Sequence, residues 1–530
     1  MVDVGFLGTI YKVFVTLFKA LLKIVVFTGF YWVLILTLPS EIYGWVTGNR
    51  IPDWMVEIGL YPGFGLAAFT LLQNIIRMIK KDRSFSLLRA ILSKQSKIGI
   101  QSRLDGEIAM SVSVSELCGV VFGKIKSRYV VKPEAVDGHI IIIGGSGSGK
   151  TSGIAIPTLA SWKNRVFAID MKGELYNSTK KHRGVSNIKV FNPTDHNAYG
   201  YDPYYLLRMS DDLSGEARSL ALSICPLPAE VKEPFWVLGA QNMLTGFIVY
   251  LFNHGLNFAE SMSIIKSQNV KNLVAEIMAS DDRRAIAEIS QFDGMDDTTI
   301  SGVFAELSNH ITVFATNDDL QHALNGVGHC ITPADLENGY DIFCCIPEHK
   351  LEQWKDLFGM MCNQFLKAFE RRSEGNTTPI LFLIDEFPRL GKIETVSTGL
   401  ATLRSKKIHI ALCVQSKSQL NAIYGNDTSE VIADNCPYKA ILRASEPNTQ
   451  EWCSKLVGTF DKHKTSSNYN ADIIGIGKGQ GTSMTTEEKR IIKPEEFAYL
   501  DDVVCLFPNG YRRVEKIKYW EDAAFSGVTL

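Results

Sequence analysis

Eight consecutive residues, Gly144–Thr151, read GGSGSGKT and match the pattern GxxxxGK[ST] of a P-loop. They directly follow the apolar run HIIII, and the helix-like segment IAIPTLASW comes after them. Glycines let backbone N–H groups close around a phosphate, and the start of a helix adds its dipole. Lys150 is then expected to reach the β- and γ-phosphates of ATP as a catalytic residue, and Thr151 to hold Mg²⁺. The predicted phosphate-binding residues are Gly144, Gly145, Ser146, Gly147, Ser148, Gly149, Lys150 and Thr151.

A second chemical element is the run ILFLIDE, Ile380–Glu386, in which apolar residues end in two acids. A buried strand that carries two carboxylates at its carboxyl end suits phosphoryl transfer. Asp385 can bind Mg²⁺ through water, and Glu386 can act as the general base on the attacking water. The alternative is an ordinary strand end before a turn at Pro388, which the upstream P-loop disfavours. We therefore predict Asp385 as a metal ligand and Glu386 as a catalytic residue.

Two further side chains are candidates for the same reaction. The strand-like run IHIALCVQS ends in Gln415, which we predict to sense the γ-phosphate; a solvated strand end is the alternative. Arg404, in ATLRSKK, is a candidate arginine finger supplied to a neighbouring subunit, and a surface helix charge is the equally weighted alternative. Arg443, after the run YKAIL, is a weaker candidate for the finger.

Apolar runs separated by helical stretches predict the elements that must position these residues. The runs favour a parallel α/β sheet, closed by a hairpin at the turn Asn509-Gly510. Between 210 and 325 the strand signal vanishes and helical spacing replaces it, so we predict an all-α domain there. The α/β domain then consists of 84–209 and 326–530. The Gly/Ser/Thr-rich stretch 477–487 is expected to be a mobile loop. The predicted strands are 140–143, 166–169, 342–346, 380–384, 409–414, 438–442, 503–507 and 511–517.

The first 83 residues carry two apolar runs, at about 20–38 and 58–76, each close to the roughly 20 residues that span a bilayer. The first is uncharged from Ile24 to Leu38, and Lys23 is expected to reach back to the headgroups. Lysines precede the first run, and Arg77, Lys80, Lys81 and Arg83 follow the second. Positive charge stays on the inner side, so both termini and everything after Lys81 are expected in the cytoplasm. A cleaved signal peptide is the alternative for the first run, but it leaves the second unexplained. We predict a two-helix transmembrane hairpin, 1–83, held in membrane lipid.

Composition narrows the remaining classes of function. Hydrophobic residues make up 46% and charged residues 21% of the 530, which is typical of a folded globular protein. The formal net charge of −2 gives no bulk signal for nucleic acid, so any such contact depends on a local patch. The ten cysteines form no CxxC pair, which argues against a metal site or a disulfide framework.

Several motifs together resemble those of the TraG-type coupling proteins of type IV secretion and conjugation systems. The segment FAIDMKGE, Phe167–Glu174, is similar to the strand-DxKGE segment of that family, and the elements Phe191–Pro193 and Tyr201–Pro203 to the FNP and NP elements that follow it. Phe235-Trp236 opens the helical region, as in the family, and Asp385–Phe387 and Gln415-Ser416 match its later motifs. The resemblance covers nearly the whole chain.

The resemblance implies a RecA-like P-loop NTPase domain with an inserted all-α domain, assembled as a homo-hexamer at the bacterial inner membrane. It also implies an ATPase motor that recruits a relaxase with its single-stranded DNA, or protein substrates, and couples them to the inner-membrane components of a type IV secretion channel. A channel for single-stranded DNA needs basic groups, for which Arg389, Lys392, Lys406 and Lys407 are candidates beside solvated surface charge.

Two other classes of protein share part of this pattern. An FtsK-like double-stranded DNA translocase has the same motor chemistry, but it usually has more membrane spans and a winged helix that reads DNA. A membrane receptor that binds ATP without hydrolysing it would only dock its substrates. Lys150, Asp385 and Glu386 argue against such a receptor, because all three groups needed for hydrolysis are present.

Overall fold

The structure is a computed structural model that describes residues 110–374, 378–468 and 481–528. The predicted membrane spans, 20–38 and 58–76, lie outside the described residues. The strands are β1 (Met110–Val112), β2 (Val120–Ile125), β3 (Arg128–Lys132), β4 (Ile140–Ile143), β5 (Arg165–Asp170), β6 (Ile188–Phe191), β7 (Gly200–Tyr201), β8 (Cys330–Ile331), β9 (Asp341–Cys345), β10 (Ile380–Ile384), β11 (Ile408–Val414), β12 (Tyr438–Ile441), β13 (Thr459–Asn468), β14 (Gly481–Arg490), β15 (Asp502–Phe507) and β16 (Gly510–Glu515).

The helices follow the same numbering along the chain. They are α1 (Ile156–Ser161), α2 (Glu174–Arg183), α3 (Tyr205–Met209), α4 (Leu213–Ile224), α5 (Phe235–Asn253), α6 (Phe258–Ser267), α7 (Val270–Met278), α8 (Arg283–Ile289), α9 (Asp297–Thr316), α10 (Asp318–Ala323), α11 (Pro333–Glu337), α12 (Leu351–Glu370), α13 (Glu394–Ser405), α14 (Lys417–Tyr424), α15 (Asn426–Asp434) and α16 (Pro447–Val457). Short 3₁₀ segments occur at Val114–Glu116, Val185–Asn187, Ser290–Phe292, Glu348–Lys350, Phe387–Leu390, Pro494–Tyr499, Tyr519–Glu521 and Ala523–Phe525.

Twelve of these strands form one sheet in the order β1-β3-β2-β16-β15-β12-β4-β11-β10-β5-β9-β6. The seven strands from β12 to β6 are parallel, as their apolar runs predict. The other five are antiparallel, so the sheet is mixed. Apart from the predicted closing hairpin, these antiparallel strands were not expected, and the prediction of a parallel sheet holds only for the seven strands from β12 to β6. The hairpin at Asn509-Gly510 is confirmed as β15–β16, and β2 continues the sheet beyond it.

The parallel strands are buried on both faces, which explains their continuous apolar sequences. In β4, Ile141 and Ile143 belong to the core beneath the larger set of helices, and Ile140 and Ile142 to the core on the opposite face. Every residue of β10 and β11 is buried as well. The carboxyl ends of seven strands therefore meet along a single edge of a rigid sheet.

A buried ion pair fixes the helix that follows the P-loop. Asp341, the first residue of β9, is fully buried and accepts hydrogen bonds from Arg183 at 2.7 and 3.0 Å. The same guanidinium donates to the carbonyl oxygens of Leu159 and Trp162, which end α1, at 2.7 and 2.6 Å. Arg183 therefore joins the end of α1 to the sheet. Because the buried pair with Asp341 is bidentate, it fixes the orientation of the guanidinium and so the position of the helix end.

Only helices occur in the described chain between β7 and β8, where the sequence predicts an all-α domain. Their starts follow ordinary capping rules, because a short polar side chain accepts from the first free backbone N–H groups. The capping residues with such a bond are Asp212, Asn257, Asn269, Asp282, Asp296 and Asn317. The helices share one continuous hydrophobic core with one face of the sheet.

One described helix, α5, is long and apolar enough to cross a membrane by length and composition. However, 67% of its apolar window is buried inside the protein, against α4, α8 and α9. Its buried residues surround the helix and include polar Gln241 and Thr245, whose side chains bond to backbone carbonyl oxygens at 2.7 Å. A helix that is apolar all round is typical of a protein core, and α5 is the central helix of this segment.

The stretch 477–487 differs from its prediction as a mobile loop. Residues from Gly481 onward form β14, which pairs antiparallel with β13 along ten residues, from Asn468↔Gly481 to Thr459↔Arg490. Threonine and serine are frequent on both strands, and threonine favours extended backbone. The cross-strand partner lies outside the predicted stretch, which is why the pairing was missed; residues 469–480 lie outside the described part of the chain.

Candidate nucleotide-binding site

The P-loop connects the carboxyl end of β4 to the helical turn Thr151–Ala155 and then α1, which is the strand–loop–helix order that the sequence predicts. The loop starts between two neighbouring strands: Gly144 N–H donates to Val414 O at 3.0 Å, and Gly145 N–H donates to Arg443 O at 2.8 Å. Gly149 adopts φ of 96°, which strongly favours glycine. Local backbone geometry thus fixes the loop before any ligand binds.

Lys150 lies inside this loop. Its side chain is buried, and Nζ donates to the carbonyl oxygen of Gly144 at 2.8 Å and to that of Gly145 at 3.4 Å. Ser148 Oγ, also buried, has no hydrogen-bond partner in the described structure. An ammonium group held by two carbonyl oxygens, beside an unsatisfied hydroxyl, suits an anionic ligand that can replace those contacts.

The acidic pair follows β10, two strands away from β4. Asp385 N–H donates to Ile169 O at 3.3 Å, and Asp385 Oδ1 is buried without a partner in the described structure. Glu386 adopts φ of 54°, which is uncommon for a residue with a Cβ atom and marks a sharp change of direction. Gln415, at the end of β11, donates from Nε2 to Glu386 Oε2. The structure therefore brings Lys150, Asp385, Glu386 and Gln415 to the same edge of adjacent strands.

The electrostatics of this edge favour a divalent cation. Burial raises the pKa of Asp385 to about 7, with the charges of Glu386 and Asp170 adding to the shift and Lys150 opposing it. Burial also raises the pKa of Asp170 to about 6, while backbone N–H groups oppose that shift. Mg²⁺ prefers oxygen ligands and neutralises negative charge. A cluster of carboxylates in which one oxygen has no hydrogen-bond partner therefore suits this ion.

Among the described residues, no three His, Cys, Asp or Glu side chains are grouped in a way that would hold a metal ion by themselves. A magnesium site in which one or two carboxylates act together with a hydroxyl and substrate phosphates does not need such a group. Thr151, the first residue of the helical turn after Lys150, is half-buried at this edge and fits the hydroxyl ligand.

Asp170 is the site residue to which the sequence assigned no role. It ends β5, next to β10, and accepts from the backbone N–H groups of Lys172 and Tyr176 at 3.4 and 2.8 Å. Its signal in the sequence was its position: it is the last residue of an apolar run, as Asp385 is. Two parallel neighbours that both end in aspartate must bring those carboxylates together.

The two candidate arginines lie at opposite ends of the parallel strands, Arg404 at the amino ends and Arg443 at the carboxyl ends. Arg404 is exposed in the last turn of α13, just before Lys407, whose carbonyl oxygen pairs with the first residue of β10. Its charge acts on His139, which directly precedes β4. Arg404 is therefore separated from its own Lys150 by the length of β4, whereas Arg443, also exposed, follows β12 beside the P-loop.

The four basic residues considered for a channel divide in the same way. Arg389 and Lys392 follow β10, on the edge that carries the P-loop, and Lys392 pairs with Glu394 at 3.2 Å. Lys406 and Lys407 precede β11 on the other edge; Lys407 pairs with Asp137 at 2.9 Å. One subunit therefore does not bring these four cations into a single patch.

The sequence matches a known protein family over most of its length. A family model described as "Type IV secretory system Conjugative DNA transfer" matches residues 86–529. VirD4 of Agrobacterium fabrum is 23% identical over 399 residues, which cover 72% of this chain and 59% of VirD4. The conjugal transfer protein TraG of Escherichia coli is 22% identical over 359 residues, covering 61% of this chain and 55% of TraG. The chain thus spans about three fifths of the length of these relatives.

Solved structures share the fold. The plasmid coupling protein TrwB in complex with the non-hydrolysable ATP analogue ADPNP superposes with a TM-score of 0.59 at 16% identity, covering 78% of this chain and 91% of TrwB. The unbound monoclinic form of TrwBΔN70, a bacterial conjugative coupling protein, gives a TM-score of 0.57, covering 72% and 84%. At this level of identity the likeness establishes a common α/β fold.

Proposed function

Because the chain belongs to the type IV secretory system conjugative DNA transfer family, we propose that it is the ATPase motor of a DNA transfer system. In this proposal it recruits relaxase-bound single-stranded DNA, or a protein substrate, and couples it to a type IV secretion channel. The observation that carries the proposal is the convergence of Lys150, Asp385, Glu386 and Gln415 on one edge of the sheet.

The proposed roles follow from the contacts at this edge. Lys150 exchanges its bonds to the Gly144 and Gly145 carbonyl oxygens for the β- and γ-phosphates of ATP. Thr151 and Asp385 hold Mg²⁺, which neutralises phosphate charge when bound. The TrwB complexes with ADPNP and with ADP and Mg²⁺ support a nucleotide and a magnesium ion as ligands of this fold.

Glu386 is the proposed general base, and Gln415 controls its orientation. The hydrogen bond from Gln415 Nε2 holds the Glu386 carboxylate in one direction, next to the neighbouring strand. A base that is held in place loses little rotamer freedom when it takes a proton from the attacking water. In this proposal Gln415 also contacts the γ-phosphate, so that the position in which it holds Glu386 depends on whether ATP is bound.

We infer that hydrolysis requires a second subunit. The separation of Arg404 from its own Lys150 supports a role across a subunit boundary, where an arginine finger stabilises transition-state charge. A homo-hexameric ring provides such a boundary for every site. Arg443, which is close to its own P-loop, remains the candidate for a finger within one subunit.

The proposal includes a two-helix anchor, 1–83, in the bacterial inner membrane, with the ATPase on the cytoplasmic side. Its support is the distribution of lysine and arginine around the apolar runs 20–38 and 58–76. The anchor would hold the motor in membrane lipid beside the inner-membrane components of the channel.

The Lys150→Ala variant tests the proposed function. It should abolish ATP hydrolysis and DNA transfer, because the ammonium on the phosphates supplies several kcal/mol of transition-state stabilisation. Lys181→Ala, which removes an exposed lysine from α2, is the matched control and should keep both activities. Transfer at the wild-type frequency by Lys150→Ala, in cells that contain normal amounts of the protein, would refute the motor.

A further inference from the structure

A cleft of 490 Å³ opens on the same edge of the sheet as the P-loop, but three to five strands further along. Its walls are the first turn of α2 on one side and the loop 192–199 on the other, and its floor is β6 together with the carboxyl end of β9. The residues that matter for its chemistry are Lys172, Tyr176, Asn177, Asn192, Asn197 and Tyr199. None of these has a role in the proposed ATPase reaction.

The lining combines aromatic rings, side-chain amides and positive charge. Tyr176 and Tyr199 are both half-buried, so part of each ring reaches solvent. Lys180 Nζ lies 4.9 Å from the centre of the Tyr176 ring, and Lys189 Nζ lies 5.1 Å from that of Tyr199. Asp195 is the acidic residue in the lining, and its Oδ1 accepts from Asn197 N–H at 3.0 Å within the loop.

This combination matches the chemistry of a single-stranded nucleic acid. Tyrosine rings provide stacking surfaces for bases, which every base can use because each has a π-face. Asparagine amides can both donate to and accept from base edges. Lys180 can neutralise a phosphate beside the stacked bases. Lys172 and Lys189 pair with Glu348 at 3.4 Å and with Asp335 at 2.7 Å, so a phosphate would share these two lysines with a carboxylate. Double-stranded DNA does not expose its base faces, so it cannot use the two rings.

The cleft shares one structural element with the nucleotide site. Asp170 accepts hydrogen bonds from the backbone N–H groups of Lys172 and Tyr176, which form one wall of the cleft. Asp170 directly follows Ile169, whose carbonyl oxygen accepts from Asp385 N–H at 3.3 Å, so the two acids lie at the ends of paired strands. A ligand that shifts the wall therefore changes the environment of the proposed magnesium ligand.

We propose that this cleft binds a nucleotide unit of single-stranded DNA, and that Asp170 transmits its occupancy to the ATPase site. This proposal rests on the proposed function, since it names where the DNA of that motor contacts the chain. DNA in the cleft fixes the Lys172–Tyr176 turn, and the turn fixes the Asp170 carboxylate beside Asp385. Stimulation of ATP hydrolysis by DNA is the expected result.

The test uses the full chain in detergent, a fluorescent oligothymidine and the variants Tyr176→Ala and Tyr199→Ala. Loss of one base–aromatic stack should weaken oligothymidine binding by about 5- to 150-fold. The oligothymidine concentration that half-maximally stimulates ATP hydrolysis should rise by the same factor. Tyr176→Phe, which keeps the ring, should restore the affinity. Tyr499→Ala, which removes an 82% exposed tyrosine far along the chain, is the matched control and should bind normally.

A second measurement does not depend on how the variants fold. Oligonucleotides carrying 5-iododeoxyuridine crosslink to aromatic side chains on illumination, and the crosslinked peptides should contain Tyr176 or Tyr199. Crosslinks confined to other peptides, together with normal affinity of the two alanine variants, would overturn the cleft but leave the motor intact. Absence of any oligothymidine binding by the unaltered chain would overturn the cleft proposal and the choice of DNA as the substrate, whereas the ATPase itself is tested separately by Lys150→Ala.

Discussion

Replacing Asp385 by asparagine should stabilise the metal-free protein at alkaline pH while abolishing its activity. Asp385 is 8% exposed, and burial raises its pKa from 3.8 to about 7. The folded protein therefore holds this proton more tightly than the unfolded chain does. The ionised carboxylate disfavours folding, and this unfavourable contribution is absent below about pH 4, grows between pH 4 and pH 7, and is complete above pH 7.

The magnitude follows from the same shift. A rise from 3.8 to about 7 is about 3 pKa units, and each unit corresponds to about 1.4 kcal/mol. At pH 8, Asp385→Asn should therefore raise the free energy of unfolding by up to about 4 kcal/mol. Unfolding entropy is about 2 cal/mol/K per residue, so a protein of this size should melt a few degrees higher. At pH 4 the two proteins should melt together.

Thermal unfolding of the full chain in detergent with a chelator, at pH 4, 6 and 8, measures this effect. Asp211→Asn, at an exposed position, is the control and should change the melting temperature little at any pH. Adding Mg²⁺ and ATP at pH 8 should stabilise the wild type and leave Asp385→Asn nearly unchanged, because the amide lacks the charge that binds the metal. A variant that is less stable than the wild type at pH 8 would refute the reasoning.

Three other substitutions test the proposed base, the proposed arginine finger and the buried ion pair. Glu386→Gln should bind ATP normally but hydrolyse it roughly 10²- to 10⁴-fold more slowly, since the amide cannot take a proton; nucleotide binding and phosphate release check this, and loss of binding would assign Glu386 a different role. Arg404→Ala should hydrolyse ATP roughly 10³-fold more slowly and recover when mixed with Lys150→Ala; mixed rings without recovery would remove Arg404 from the reaction. Arg183→Ala should destabilise the fold by roughly 3–5 kcal/mol, because it leaves the Asp341 carboxylate buried without its main partner; a change below about 1 kcal/mol in denaturant unfolding would contradict this.

The centre of the fold was predictable because its signals are local. The P-loop, the run ending in Asp385-Glu386 and the run ending in Gln415 are each contiguous in sequence, and parallel strands must bring their carboxyl ends together. The resemblance to TraG-type coupling proteins is confirmed by the family to which residues 86–529 belong. The predicted strand Ile380–Ile384 is even correct to the residue.

The remaining parts depend on partners that are distant in sequence. The strand β2, which lies between β3 and β16, carries mixed polarity and a glycine at 123, so periodicity did not identify it. Its neighbour β16 lies near the other end of the chain. The start of β14 was predicted as a loop because its sequence is rich in Gly, Ser and Thr, and its partner β13 lies outside that stretch. Asp170 showed no role until β5 and β10 were known to be neighbours.

The five antiparallel strands determine which contacts would bear a pulling force on the chain. The registered pairing between β2 and β16 is one pair, Glu515↔Lys124, so this seam is narrow. β2 and the residue before it also contact α1, the helix after the P-loop. Val121 N–H donates to Thr158 Oγ1 at 3.1 Å, and Ser161 Oγ donates to Gly119 O. A pull on the chain ahead of β1 would therefore load α1, the helix that follows the P-loop, through these two hydrogen bonds as well as the pairing between β2 and β16.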